Sequence, residues 1–282
     1  MKFTKYHGIG NDFIIIDGIR EKLPDNLNET AKNLCHRNYG IGADGLMVVL
    51  PSDKADIRMR IINSDGSEAE MCGNGIRCFA RYVYEYGHVQ QLQFTVETLA
   101  GIMVPVLVTE AGQVKGITVD MGVPSLNRID IPMLGDTKQA INEKLQVLDT
   151  SFNVTSVLLG VPHCIVFVDD VEKVDLQKYG PALESHPAYP RKTNVHFVEV
   201  INDHEMKMRI WERGAGITLA CGTGACGTLV AAHVNKKTGK IAKIELPGGV
   251  LNIEWADNNH IYMTGPAELV FSGEVLDSSL IK

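Results

Sequence analysis

The sequence predicts an α+β protein of two pseudo-symmetric lobes made by internal duplication, with an active site in the cleft between them. Three observations lead there. Short β-branched runs bounded by turn residues outnumber helical patterns. Anchors recur in order at one offset: Met59-Arg-Ile61 returns as Met208-Arg-Ile210, and Cys72-Gly73-x-Gly75 as Cys221-Gly222-x-Gly224, each 149 residues on. In both repeats the cysteine stands just before a glycine turn that opens a helical pattern. Two looser echoes agree. "GNDFIIID" from Gly10 lies over "GVPHCIVFVD" from Gly160 at a shift of 150, and "ETLAG" from Glu97 over "ELPGG" from Glu245 at a shift of 148.

In chain order, "DFIIID", "LMVVL", "IRMRII", "LQFTVET" and "MVPVLV" read as strands of the first lobe. "CIVFVDD", "VHFVEVI", "MKMRIW", "KIELPGG" and "LNIEWA" read as strands of the second. Three segments read as helix. "NETAKNLCHR" offers Asn28 or Thr30 as its N-cap. "GIRCFARYVYEYG" carries Ile76, Phe79, Ala80 and Val83 at helical spacing and stops at Gly87. "ACGTLVAAHVNKKTG" is apolar nearly all round, so it is expected to be buried, with Gly239 at its end. Each lobe is then a sheet with a helix packed inside it. The turn-rich stretch from Gly122 to Asp136 marks the passage between them.

Composition narrows the function class. The 282 residues are 45% apolar and 22% charged, enough for a sizeable core. A net charge of −7 with no basic stripe argues against a nucleic-acid partner. No apolar run approaches the ~20 residues of a membrane span, and the N-terminus has no signal-peptide pattern. A cytoplasmic location is expected, with Cys35, Cys72, Cys78, Cys164, Cys221 and Cys226 as free thiols. The sequence contains no C-x-x-C pair and no metal-ligand cluster by spacing.

A cysteine at a helix start is chemically unusual. The unpaired N–H groups and the positive dipole end dock carboxylates and acidify a thiol, to between ~3.5 and ~7.5 in known cases. Two facing lobes would bring two such thiols to one cleft. A small acid could rest its carboxylate on both helix starts, with Cys72 and Cys221 flanking its α-carbon. One thiolate and one thiol then move a proton off one face and onto the other, inverting the centre. No cofactor is needed for that.

At these residues the chain resembles the diaminopimelate epimerase family. The resemblance rests on "KYHGIGNDF", "GIGADGL", "NSDGSEAEMCGNGIRC", "TNVHFVEV", "WERGAGITLACGTGAC" and "MTGPAE", and spans nearly the whole chain. It implies cofactor-independent conversion of LL-diaminopimelate to the meso form, in lysine and peptidoglycan precursor synthesis, by a homodimer. It implies a β-roll around a central helix in each lobe, with the last strand region returning to the first lobe. The lobes are then residues 1–118 plus about 263–282, and 119–262. By motif, Cys72 and Cys221 match the acid–base pair, and His163 and Glu212 the groups that help set their protonation. Asn11, Asn63, Asn194 and Arg213 match residues that grip the substrate. Gly73, Asn74, Gly222 and Thr223 match the backbone donors. Two departures stand out. Val161 replaces the Asn of the family's Asn-Pro-His-Cys, and Gly45 stands where some members carry glutamine.

Other readings compete. A related racemase of another amino acid would share the chemistry. A hydrolase using one cysteine with His163 and Glu212 leaves the second cysteine surplus. An amino-acid-binding protein leaves both thiols unexplained. Two segments fit G-x-G-x-x-G, but the one from Gly40 runs into a strand, and the one from Gly222 has no clear parallel βαβ unit around it.

Overall fold

The computed structural model describes residues 1–281, and the chain divides into two compact units, Met1–Val119 with Gly265–Lys282, and Asp120–Thr264. No described helix is long and apolar enough to cross a membrane.

The first unit contains β1 (Lys2–Gly8), β2 (Asn11–Asp17), α1 (Leu27–Cys35), β3 (Gly45–Leu50), β4 (Ile57–Asn63), β5 (Glu68–Ala69) and α2 (Gly73–Glu85). It continues with β6 (Val96–Thr98), β7 (Gly101–Met103), β8 (Val106–Glu110) and β9 (Gln113–Asp120). The second unit runs through β10 (Glu143–Val147), β11 (Thr150–Leu159), β12 (Val161–Val168), α3 (Leu176–Glu184), β13 (Asn194–Asn202) and β14 (Glu205–Glu212). Then follow β15 (Gly216–Ile217), α4 (Gly222–Val234), β16 (Ile241–Leu246), β17 (Gly249–Trp255) and β18 (Ile261–Gly265). The last strand, β19 (Glu268–Glu274), pairs with β1 in the first unit.

The duplication is visible in the registers. β2 lies parallel to β3, β3 antiparallel to β4, and β6 parallel to β4 with β7 folded back on it. β12, β13, β14, β16 and β17 repeat those relations in that order. Ile62 faces Glu68 as Trp211 faces Ile217, and Arg58 faces Glu97 as Lys207 faces Glu245. α2 and α4 are each 13 residues long and begin 149 residues apart, at Gly73 and Gly222.

Both faces of β2 are buried. Ile14 and Ile16 join Leu46, Val48 and Ile62 against Ala31 and Leu34 of α1, while Phe13 and Ile61 reach Gly75 at the start of α2. α4 touches β11, β12, β13, β16 and β17, so the sheet of its unit curls round it. A helix enclosed this way cannot be amphipathic, which is why its sequence is apolar on every side.

Several local expectations change. The N-cap of α1 is Asn26, not Asn28 or Thr30. Its side chain accepts from Glu29 N at 3.1 Å, and the Thr30 hydroxyl donates to the Asn26 carbonyl. α4 ends at Val234 with Asn235 as its C-cap, and Lys236 takes the left-handed position at φ 59°, so Gly239 plays no part in its cap. The segment read as one strand at "MVPVLV" is two, divided at Pro105, which has no N–H for a ladder. α3 was not expected, because Gly180-Pro181 in its middle reads as a turn.

Candidate active site

The first unit presents Cys72 at the start of α2. Its backbone is extended, it is the N-cap, and Gly75 N donates to Sγ at 3.4 Å. Asn11, the first residue of β2, lies alongside. Its Nδ2 donates to Asp44 at 2.7 Å, which leaves Oδ1 to accept from Cys72 Sγ at 3.6 Å and Asn74 Nδ2 at 3.3 Å. Asp44 is held by Arg37, which also grips Asp12 at 2.8 Å, and Lys5 meets Asp12 at 2.8 Å. Burial alone would raise the Asp12 carboxyl; Arg37 and Lys5 outweigh it and hold the group at about 2. This charged frame fixes which way the Asn11 amide points. Beneath the helix start, the buried Arg77 donates to the Gly73 carbonyl at 3.0 Å and to the Pro266 carbonyl at 3.1 Å, adding positive charge to the positive dipole end. Asn63, at the end of β4, turns its amide to Ser67 Oγ at 2.9 Å.

The second unit presents Cys221 at the start of α4, again as an extended N-cap, with Sγ 3.7 Å from Thr223 Oγ1. Unlike Cys72, Cys221 is buried. Burial pushes its thiol well above the ordinary range, and the negative charge of Glu212 pushes it further. Glu212 ends β14 and accepts from Thr218 Oγ1 at 2.6 Å. Asn194 opens β13 directly across from His163 of β12, and its Oδ1 accepts from Arg213 N at 2.8 Å. The Arg213 side chain donates to the Arg191 carbonyl at 2.9 Å. His163 is fully buried, and its Nδ1 lies 2.9 Å from His196 Nε2. Burial lowers His163 to about 3, with Arg213 reinforcing the shift and the Leu159 backbone opposing it; His196 is lowered by burial and by His163.

Gly224 is indispensable here. A Cβ on it would sit 2.6 Å from His196 Nε2 and 3.0 Å from Cys221 Sγ. Glycine is what lets the imidazole and the thiol share that spot.

The duplication equates unlike residues. Asn63 corresponds to Glu212, and Asn11 to Val161, next to Gly160 and Thr223. The first helix start is therefore lined by amides, the second by a carboxylate and two imidazoles. The sequence-predicted residues fall into two sets: Asn11, Asn63, Cys72, Gly73 and Asn74 in one unit, and His163, Asn194, Glu212, Arg213, Cys221, Gly222 and Thr223 in the other. Sequence reasoning missed His196, which reaches His163 only through parallel pairing of β12 with β13. It also missed Arg37 and Asp44, whose role passes through Asn11. A third omission is that one donor atom each from His163, His196 and Cys221 lies within 4.8 Å of the others, a group able to hold a metal.

The sequence pattern of the diaminopimelate epimerase family matches residues 3–127 and 155–270. A diaminopimelate epimerase of Desulfitobacterium hafniense is 53% identical over 283 residues, spanning 99% of this chain and 100% of that one. One from Methanococcus maripaludis (strain C6) is 51% identical over 276 residues, spanning 98% and 99%. Among solved structures, a Bacillus anthracis phenazine biosynthesis protein of the PhzF family is alike with a TM-score of 0.68 at 20% identity, over 98% of this chain and 99% of that one. A hydroxyproline epimerase from Agrobacterium vitis, with bound trans-4-OH-L-proline, has a TM-score of 0.68 at 16% identity, over 100% and 94%. At those identities the structural likeness is one of fold.

Proposed function

The chain belongs to the diaminopimelate epimerase family, and from that premise we propose that it converts LL-diaminopimelate to the meso form by proton transfer between Cys72 and Cys221. The observation that carries this reading is the matched pair of N-caps, one thiol at the start of each 13-residue helix at the same point of a repeated topology. Removing the α-proton leaves a carbanion whose charge spreads onto the carboxylate. The N–H groups at Gly73, Asn74, Gly222 and Thr223, with the positive helix ends behind them, stabilise that charge as it develops.

Burial and the Glu212 charge hold Cys221 as a thiol in the resting chain, so it begins as the acid and Cys72 as the base. Cys72 Sγ takes the α-proton, the C–H electron pair moves into the carboxylate system, and Cys221 delivers its proton to the opposite face. One S–H bond forms as the other breaks, and solvent exchange restores the starting state. His163 and Glu212 set the protonation of Cys221. Asn11, Asn63 and Asn194 offer amides to the ammonium groups, and Arg213 a planar fork to the distal carboxylate. The two thiols carry both proton transfers, so the scheme needs no cofactor. Family membership also supports a homodimer working in the cytoplasm.

Incubation with LL-diaminopimelate in D2O tests the reaction. The meso product is expected to appear with deuterium at the inverted α-carbon; unlabelled product, or release of a cleaved fragment, overturns the reading. Val161 favours a second reading, a racemase for another amino acid, because valine cannot donate to a distal group. Val161→Asn is expected to lower KM for diaminopimelate several-fold with little change in kcat. An unchanged KM, with faster turnover of a single-stereocentre amino acid, would favour the second reading.

A further inference from the structure

His163, His196 and Cys221 have a chemistry that proton transfer does not use. The two histidines are fully buried, and His163 Nε2 and His196 Nδ1 have no hydrogen-bond partner. Their other nitrogens, His163 Nδ1 and His196 Nε2, meet at 2.9 Å. The bare face of Gly224 brings His196 Nε2 and Cys221 Sγ to one point, and a donor atom from each of the three residues lies within 4.8 Å of the others. The donors come from two paired strands, β12 and β13, and the start of the helix those strands wrap, so rigid elements hold them.

We propose that His163, His196 and Cys221 form a three-ligand site for a zinc-type divalent cation, and that its occupancy silences the enzyme. Two imidazoles and a thiolate suit a borderline-soft ion and not magnesium or calcium, which take oxygen. Bonds of ~2.0–2.1 Å to nitrogen and ~2.3 Å to sulfur in a tetrahedron separate the donors by about 3.3–3.6 Å, which lies between the 2.9 Å from one ring nitrogen to the other and the 4.8 Å that bounds the group. On binding, Cys221 releases its proton to solvent. The proton shared between the rings moves to the outer, unpaired nitrogen of the ring that carries it. Two N–metal bonds and one S–metal bond form, and no electron is transferred. The fourth position is left for water or a carboxylate oxygen. Silencing rests on Cys221 being the acid of the proposed reaction; binding rests on the cluster alone.

The full chain, freed of metal by a chelator, is titrated with Co2+ and then with Zn2+ in competition. One Co2+ per chain is expected, with thiolate-to-cobalt absorption that persists in Cys72→Ala, vanishes in Cys221→Ala and needs about 100-fold more metal in His196→Gln. Paramagnetically shifted NMR of the wild type, showing two ligated imidazole N–H signals, tests the histidines without substitution. No thiolate-to-cobalt absorption in the wild type, or absorption that follows Cys72 instead, overturns the site. Stoichiometric Zn2+ is expected to stop turnover and EDTA to restore it. A zinc-loaded enzyme that still turns over overturns silencing and the acid role of Cys221, and leaves the binding site standing.

Discussion

Alanine at either Cys72 or Cys221 is expected to lower epimerisation by about 10³-fold or more, and the double variant by little beyond that. A positioned acid or base contributes typically ~10²–10⁴-fold, and groups acting in one step are not additive. In the proposed scheme inversion needs both sulfur atoms, so losing the second costs little once the first is gone. The single variants should differ in a way that identifies faces. With Cys221 gone, the same scheme has Cys72 still remove the LL α-proton and return a solvent deuteron to the same face. Cys221→Ala is thus expected to wash deuterium slowly into LL-diaminopimelate without inverting it. Cys72→Ala should do the same to the meso form only. Mass spectrometry with chiral separation reads both. Equal wash-in to both isomers by one variant would mean that a single group serves both faces. Circular dichroism is the control for Cys221→Ala, since that side chain is buried and its loss leaves a small gap.

Much of the fold and part of the site were legible because the duplication carries its chemistry with it. A Cys-Gly pair at the same register twice is hard to explain by packing, and the strands around it show the apolar, β-branched pattern of buried sheet. What stayed hidden has physical reasons. β1, β10, β11 and β19 are written "KFTKYHG", "EKLQV", "TSFNVTSVLL" and "ELVFSGE", mixing polar residues into the ladder, so no apolar run announces them. The N-cap of α1 sat two residues before the first candidate, where only the geometry of Asn26 distinguishes it. The His163–His196 contact spans 33 residues and a helix, and it depends on which strands pair, a property no local pattern encodes.

The second large effect is on stability and comes from those same rings. His163 falls from 6.5 to about 3, and His196 moves in the same direction. Folded values below unfolded ones mean that, as pH drops through about 6.5, the unfolded chain binds protons the folded chain refuses. The stability is therefore complete above that pH and is lost as pH falls toward 3. At ~1.4 kcal/mol per tenfold in proton affinity, His163 alone costs the fold about 2 kcal/mol between pH 7 and pH 5, and His196 adds to that in the same direction. The two shifts together should lower the melting temperature by more than about 4 °C over that interval. The carboxylates act later: Asp12, held at about 2, withdraws its contribution only below pH 4. Thermal melts at half-unit steps from pH 7.5 to 4.5 give the slope. His196→Gln should make it shallower, because glutamine cannot take up a proton and can still bond to His163 Nδ1. A melting temperature that stays level from pH 7 to pH 5 would mean that something in the folded chain stabilises a buried imidazolium, and that His163 is poised to carry a proton at neutral pH.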